Sequence, residues 1–110
     1  MRTVVRSNEF DDFYNGLSPK VKDKLEYAIS ILIELKVVNS KLVKRLVGSD
    51  FYELRISVGN EYRVILLTID HDNLIEATQL ILLNGFMKKS TKDYKKQIER
   101  ANNILNDLEI

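Results

Sequence analysis

The chain has 110 residues, no cysteine, a single histidine and a formal net charge of +1. That length suits one domain, residues 1–110, with its own core and no metal or disulfide support. The lack of cysteine excludes a disulfide framework, a thiolate metal site and a cysteine nucleophile. The near-neutral charge excludes a generally basic coating protein, so any nucleic-acid role must rest on local clusters of cations.

Residues 2–6 alternate weakly and read as a first strand around Val4 and Val5. No apolar segment of a signal peptide precedes it, and no apolar run reaches membrane-spanning length, so a cytoplasmic location without membrane contact is expected. Ser7-Asn8-Glu9 offers an N-cap, and Phe10, Phe13, Tyr14 and Leu17 follow at helical spacing. Gly16 and Ser18-Pro19 end this helix and start a longer one, with Ser18 as N-cap and Pro19 in the first turn. Val21, Leu25, Ala28, Ile29, Leu32 and Leu35 form one apolar stripe along it.

Residues 38–50 show no clear element but carry Lys41, Lys44 and Arg45, and Gly48-Ser49-Asp50 marks a turn. Strands are expected near 51–57, 61–69 and 75–83, joined at Val58-Gly59-Asn60 and Asp70–Asn73 by hairpin-length connections. His71 lies in the second connection, where a solvated turn residue is the expectation, and one histidine does not support a zinc site. Tyr94, Ile98, Ala101, Ile104, Leu105 and Leu108 set the apolar positions of a last helix over 91–108. The fold class is therefore α+β: two N-terminal helices on an antiparallel sheet of three to four strands, closed by a C-terminal helix.

The hairpin carries the chemistry. Tyr52, Leu54 and Ile56 share one face of its first strand, as do Tyr62, Val64 and Leu66 of its second. Burying both sets on one side needs an odd loop, which pairs Ile56 with Tyr62 and Leu54 with Val64. The same register sets Arg55 opposite Arg63 on the other face, expected to be solvated, together with Glu53 and Glu61. Two readings follow: a surface ion-pair lattice neutralised by the glutamates, or an anion clamp whose guanidinium forks match phosphate. The last strand runs through Leu82-Leu83-Asn84-Gly85-Phe86-Met87 into Lys88-Lys89; Phe86 reads as core.

On the Tyr52-Glu53-Leu54-Arg55 strand, Tyr62-Arg63-Val64 after a glycine turn, and Leu82-Leu83-Asn84-Gly85-Phe86-Met87-Lys88-Lys89 before a helix, the chain resembles the RelE/ParE toxin superfamily. Within it the likeness is to the HigB-like (phage Gp49-like) branch, and it covers nearly the whole chain. The resemblance implies a RelE-like toxin of a type II toxin–antitoxin system, made beside a cognate antitoxin that wraps and neutralises it. It further implies a ribosome-dependent mRNA endoribonuclease, an mRNA interferase that needs no metal or cofactor. The RNA's own 2′-hydroxyl attacks, so the protein has to position, move protons and stabilise the phosphorane.

Carried over by position, Arg63 and Arg55 would contact the scissile phosphate. Lys88 and Lys89 would contact phosphate or donate a proton to the leaving oxygen. Tyr94 lies near a tyrosine that some members carry on the closing helix, although the residue itself reads first as a core tyrosine. Lys41, Lys44 and Arg45 would contact ribosomal RNA. Many relatives have histidine where this chain has Asn84, which cannot transfer protons near neutral pH. The general base is therefore unassigned, with Glu53 or a lysine of lowered pKa as candidates. A ParE-like gyrase poison and an inactive relative kept for binding and repression are the alternatives on the same fold.

Overall fold

The computed structural model describes residues 1–108. Its elements are β1 (Thr3–Arg6), α1 (Asn8–Asn15), α2 (Pro19–Glu34), β2 (Val43–Arg45), β3 (Tyr52–Val58), β4 (Asn60–Thr68), β5 (Gln79–Lys88) and α3 (Asp93–Leu108). The α+β class and all three helices match the expectation. The sheet is larger than expected: five strands in the order β1-β5-β4-β3-β2, with β1 parallel to β5 and the other pairs antiparallel.

Both helix starts follow local chemistry. The Ser7 hydroxyl accepts from the Phe10 amide at 3.0 Å, and the Ser18 hydroxyl accepts from the Val21 amide at 3.5 Å, which satisfies donors that a helix leaves open. Along α2, Val21, Leu25, Ala28, Ile29 and Leu32 are buried, whereas Leu35 caps the helix and is half exposed. This stripe and Phe10 of α1 cover one face of the sheet through Leu54, Val64, Leu80 and Leu82. Each such fully buried side chain contributes about 1.5–3 kcal/mol.

Two expectations need correction. The segment 38–50 is not without structure, because Val43, Lys44 and Arg45 pair with Leu54, Glu53 and Tyr52 as an edge strand. Nor do Asp70–Asn73 form a short hairpin to a strand at 75–83. The connection runs over residues 69–78, and the strand lies four residues later, at Gln79–Lys88. The Asp70 carboxylate holds that connection closed, accepting from the Thr78 and Gln79 amides at 3.0 Å each. Within it Leu74 and Ala77 turn inward to the core.

Arg2 fastens the same connection from below. Only 6% exposed, it donates to the carbonyls of Leu32 (2.9 Å), Leu74 (2.8 Å) and Ala77 (3.1 Å), and also to those of Leu35 and Lys36. It thereby ties the end of α2 to the 69–78 segment.

The hairpin register is as expected: Ile56 pairs with Tyr62, Leu54 with Val64 and Arg55 with Arg63. Gly59 makes the turn with φ of 72°, a conformation that favours glycine. The expected solvated face, however, is covered. Phe51, Ile65, Leu83 and Phe86 bury there against Ala101 and Ile104 of α3. The helices α1 and α2 already occupy the first face, so the apolar stripe of α3 has only the second on which to bury.

A bulge in β5 shapes this second face. Ile65 pairs with Asn84 and Leu66 with Leu82, which leaves Leu83 as an extra residue. Leu83, Asn84 and Phe86 consequently share the α3 side, while Gly85 turns toward Phe13 of α1.

Candidate active site

Three rows of residues cross the α3 face of the sheet, set by the register and spaced two residues apart. The inner row is Lys44, Glu53, Ile65 and Asn84; the middle row is Arg55, Arg63 and Phe86; the outer row is Ser57, Glu61 and Lys88. Helix α3 covers the inner row and ends over the middle one, where Tyr94 of its first turn meets Arg63. The outer row is open to solvent beside the Gly59 turn.

Opposed arginines repel, and the geometry shows how the pair is tolerated. Glu53, 4% exposed, brings Oε1 to 3.2 Å from Arg55 Nε and 3.8 Å from Arg63 Nε. Arg63 is itself 2% exposed, and each of its three side-chain nitrogens has a partner. Its Nε donates to Tyr94 Oη at 3.1 Å, Nη1 to the Tyr62 carbonyl at 2.9 Å, and Nη2 to Glu61 Oε1 at 3.2 Å. The ion-pair lattice therefore exists, but around Glu53 it is a buried one. Losing one partner of such a pair costs about 3–5 kcal/mol, so these side chains are held rigidly.

The lattice still leaves cations facing solvent. Arg55 spends only Nε on Glu53, and its side chain remains about one-third exposed (34%). Together with Lys41, Arg63, Ser57 and Glu61 it lines an open groove of about 260 Å³. Lys88 is the register partner of Glu61, with Nζ 5.5 Å from the centre of the Tyr94 ring, and the Phe86 ring meets Tyr94 edge-on at 5.7 Å.

Burial pushes the Tyr94 phenol above its ordinary pKa; the Glu53 carboxylate adds to this and the Arg63 guanidinium opposes it. The phenol therefore stays protonated at neutral pH. Glu61 moves the other way: the Ser57 hydroxyl first, then Arg63, holds its carboxyl below the usual range.

Among the residues singled out in the sequence, Arg55, Arg63, Lys88, Tyr94 and Lys41 are brought together. Lys44 sits on the same face at the edge strand, opposite Glu53. Arg45 points to the other face, with its guanidinium over the Tyr52 ring at 5.6 Å. Lys89 lies beyond the strand, its amide donating to Asp93 Oδ2 at 2.8 Å. Asn84 is not in the groove. It is fully buried beneath α3, where Nδ2 donates to the backbone and side-chain oxygens of Gln97 at 3.2 and 3.0 Å.

Sequence reasoning missed the burial of Glu53 and Arg63 and the contact between Tyr94 and Arg63. The available signal was Ile65 and Leu67 on the arginine face, together with an α3 stripe that lacked a partner surface. Among the described residues, no helix is long and apolar enough to cross a membrane.

The helix-flanked mixed sheet is a RelE fold. One chain of the intact E. coli RelBE toxin–antitoxin complex matches with a TM-score of 0.62 and 14% identity, over 82% of this chain and 100% of that one. The free E. coli toxin RelE bearing two arginine-to-alanine changes matches with a TM-score of 0.64 and 15% identity, over 90% and 96%. A chain of the RelB–RelE antitoxin–toxin complex of Methanococcus jannaschii matches with a TM-score of 0.56 and 22% identity, over 82% and 96%. No curated protein matches the sequence. Residues 12–106 match the family described as Phage derived protein Gp49-like (DUF891), and the chain belongs to that family.

Proposed function

We propose that this protein is the toxin of a type II toxin–antitoxin pair and acts as a metal-independent endoribonuclease on mRNA at the ribosome. The observation that carries the reading is the arginine pair. Arg55 and Arg63 stand opposite each other on β3 and β4, are oriented by the buried Glu53, and line one groove with Lys41. Fixed guanidinium groups match the oxygens of a phosphodiester and the extra negative charge that it gains as a phosphorane. The RelE fold of known toxins, two of them solved as antitoxin complexes, supports an antitoxin as partner.

In the reaction the RNA 2′-hydroxyl gives up its proton as its oxygen bonds to the adjacent phosphorus, the bond to the 5′-oxygen breaks, and one proton reaches that leaving oxygen, so that the proton lost is matched by the proton gained. The candidate donors are Lys88, the register partner of Glu61, and Tyr94, bonded to Arg63, with Lys89 one residue beyond. Tyr94, its phenol held protonated by burial, serves as an acid and not as a base. Asn84 takes no part in proton transfer, sealed as it is under α3. The mechanism draws mainly on positioning and electrostatic stabilisation by Arg55 and Arg63. Lys41 and Lys44 extend the basic surface toward ribosomal RNA, and Arg45 adds charge from the opposite face of the edge strand.

The test is induced expression of the wild type and of Arg55→Ala in bacteria, with transcript 5′ ends mapped and translation followed. Arg55 is preferred to the more buried Arg63, whose removal also loosens the fold. Cleavages within translated messages that Arg55→Ala reduces at least tenfold are expected. Arrest with intact messages and damaged DNA would assign the chain to gyrase inhibition instead, and absence of arrest would make it a binding module.

A further inference from the structure

We infer that Glu61 is a displaceable carboxylate that occupies the anion position of Arg63 until a phosphate takes its place. Arg63 can offer an incoming anion little besides Nη2. Its Nε is committed to Tyr94 and Glu53 and its Nη1 to the Tyr62 carbonyl, whereas Nη2 faces the groove and donates to Glu61 Oε1 at 3.2 Å. With the Arg63 side chain only 3% exposed and the Glu61 carboxylate against Nη2, a phosphate oxygen approaching this nitrogen from the groove competes with that carboxylate for it. The two anions have like charge and similar acceptor geometry, so they compete for one site.

The two glutamates of the site differ in their freedom to move. The Glu53 side chain is 5% exposed and is locked between two arginines, while that of Glu61 is 51% exposed and lies one residue past the Asn60 end of the turn. Among the described residues, Glu61 is held by the Ser57 hydroxyl and by Arg63. A landing place stands ready, since Lys88 is its register partner on β5 and is turned onto the Tyr94 ring. Swinging across to Lys88 would keep the carboxylate paired while it clears Nη2. The groove would then change from three cations facing Glu61 to three cations facing the incoming phosphate. Glu61 thus sets a threshold: weakly held single anions fail to displace it, and a phosphodiester also gripped by Arg55 and Lys41 succeeds.

This inference rests on the proposed phosphate-binding role of Arg63, and two ligands separate it from the RNA reading. Inorganic phosphate is titrated into purified wild type, Glu61→Gln and Ser57→Ala while the Arg63 Nε–H resonance is followed by NMR. Glu61→Gln should bind phosphate about fivefold more tightly, near the upper limit for an exposed ion pair, and Ser57→Ala should shift the same way by less. Equal or weaker binding in Glu61→Gln, or no phosphate response at Arg63 in any variant, would overturn the inference. In parallel, a single-stranded RNA with 2′-O-methyl groups, which cannot be cleaved, is titrated against the same proteins. Tightening for both ligands supports both readings. Tightening for phosphate with no binding of the RNA retains the Glu61 exchange and removes the RNA substrate.

Discussion

At the scale of single residues, buried cations do two kinds of work in this protein. Arg63 is held in the ion-pair lattice that borders the groove, whereas Arg2 ties backbone to backbone, spanning the α2 end and the 69–78 segment through five carbonyl acceptors. A cation at a helix C-terminus also complements the helix dipole. Arg2→Ala is expected to lower the unfolding free energy by about 3 kcal/mol, because several carbonyls, three of them in buried bonds, lose a charged donor. Urea denaturation followed by circular dichroism measures it. Tyr94 supplies a second prediction, with the sign set by linkage. Its folded pKa is raised by burial above the unfolded value, so its contribution to stability is complete below about pH 10 and is lost as pH rises through the folded pKa. Tyrosinate absorbance should show a phenol titrating above the ordinary tyrosine range, and Tyr94→Phe should remove that step.

Among the elements, β5 decides the most. It pairs with β1 on one side and β4 on the other, and its bulge sends Leu83, Asn84 and Phe86 toward α3. Gly85 faces the other way, where a Cβ would stand 2.3 Å from the Phe13 ring of α1. Glycine is needed at this position for close approach of strand and helix and not for its backbone angle. Gly85→Ala should destabilise the fold by about 1–3 kcal/mol through overpacking. The penalty should shrink in a Phe13→Ala background, and a double-mutant cycle on thermal or chemical unfolding checks the coupling. The edge strand β2 was not legible beforehand, since three residues with two exposed cations carry no alternation long enough to detect. It exists because β3 offers a free edge to Val43, Lys44 and Arg45.

For the whole molecule, a net charge of +1 means that the proposed affinity for RNA must come from local clusters and not from a general field. Lys41, Arg55, Arg63 and Lys88 gather at one end of the sheet, where Glu53 and Glu61 offset only part of their charge. Affinity for a single-stranded RNA should fall linearly on a logarithmic salt scale, by about 0.7 per phosphate contacted. Lys41→Ala should reduce that slope by about 0.7 and leave the fold unchanged, because Lys41 is exposed. Binding measured by fluorescence anisotropy from low to physiological salt is the check.

The sequence by itself determined the three helices, their caps and stripes, and the β3–β4 register that opposes Arg55 and Arg63. These features are local: each depends on residues within a turn or a hairpin of one another, where periodicity and loop parity suffice. Only the tertiary structure decided the parallel pairing of β1 with β5, the edge strand β2, and the burial of Glu53 and Arg63 under α3. Those depend on which surfaces remain uncovered once the rest of the chain has packed. An alternating strand looks the same in sequence whether its second face meets water or a helix. Here the second face meets α3, which turns two charged residues of an apparently solvated face into the buried base of the groove.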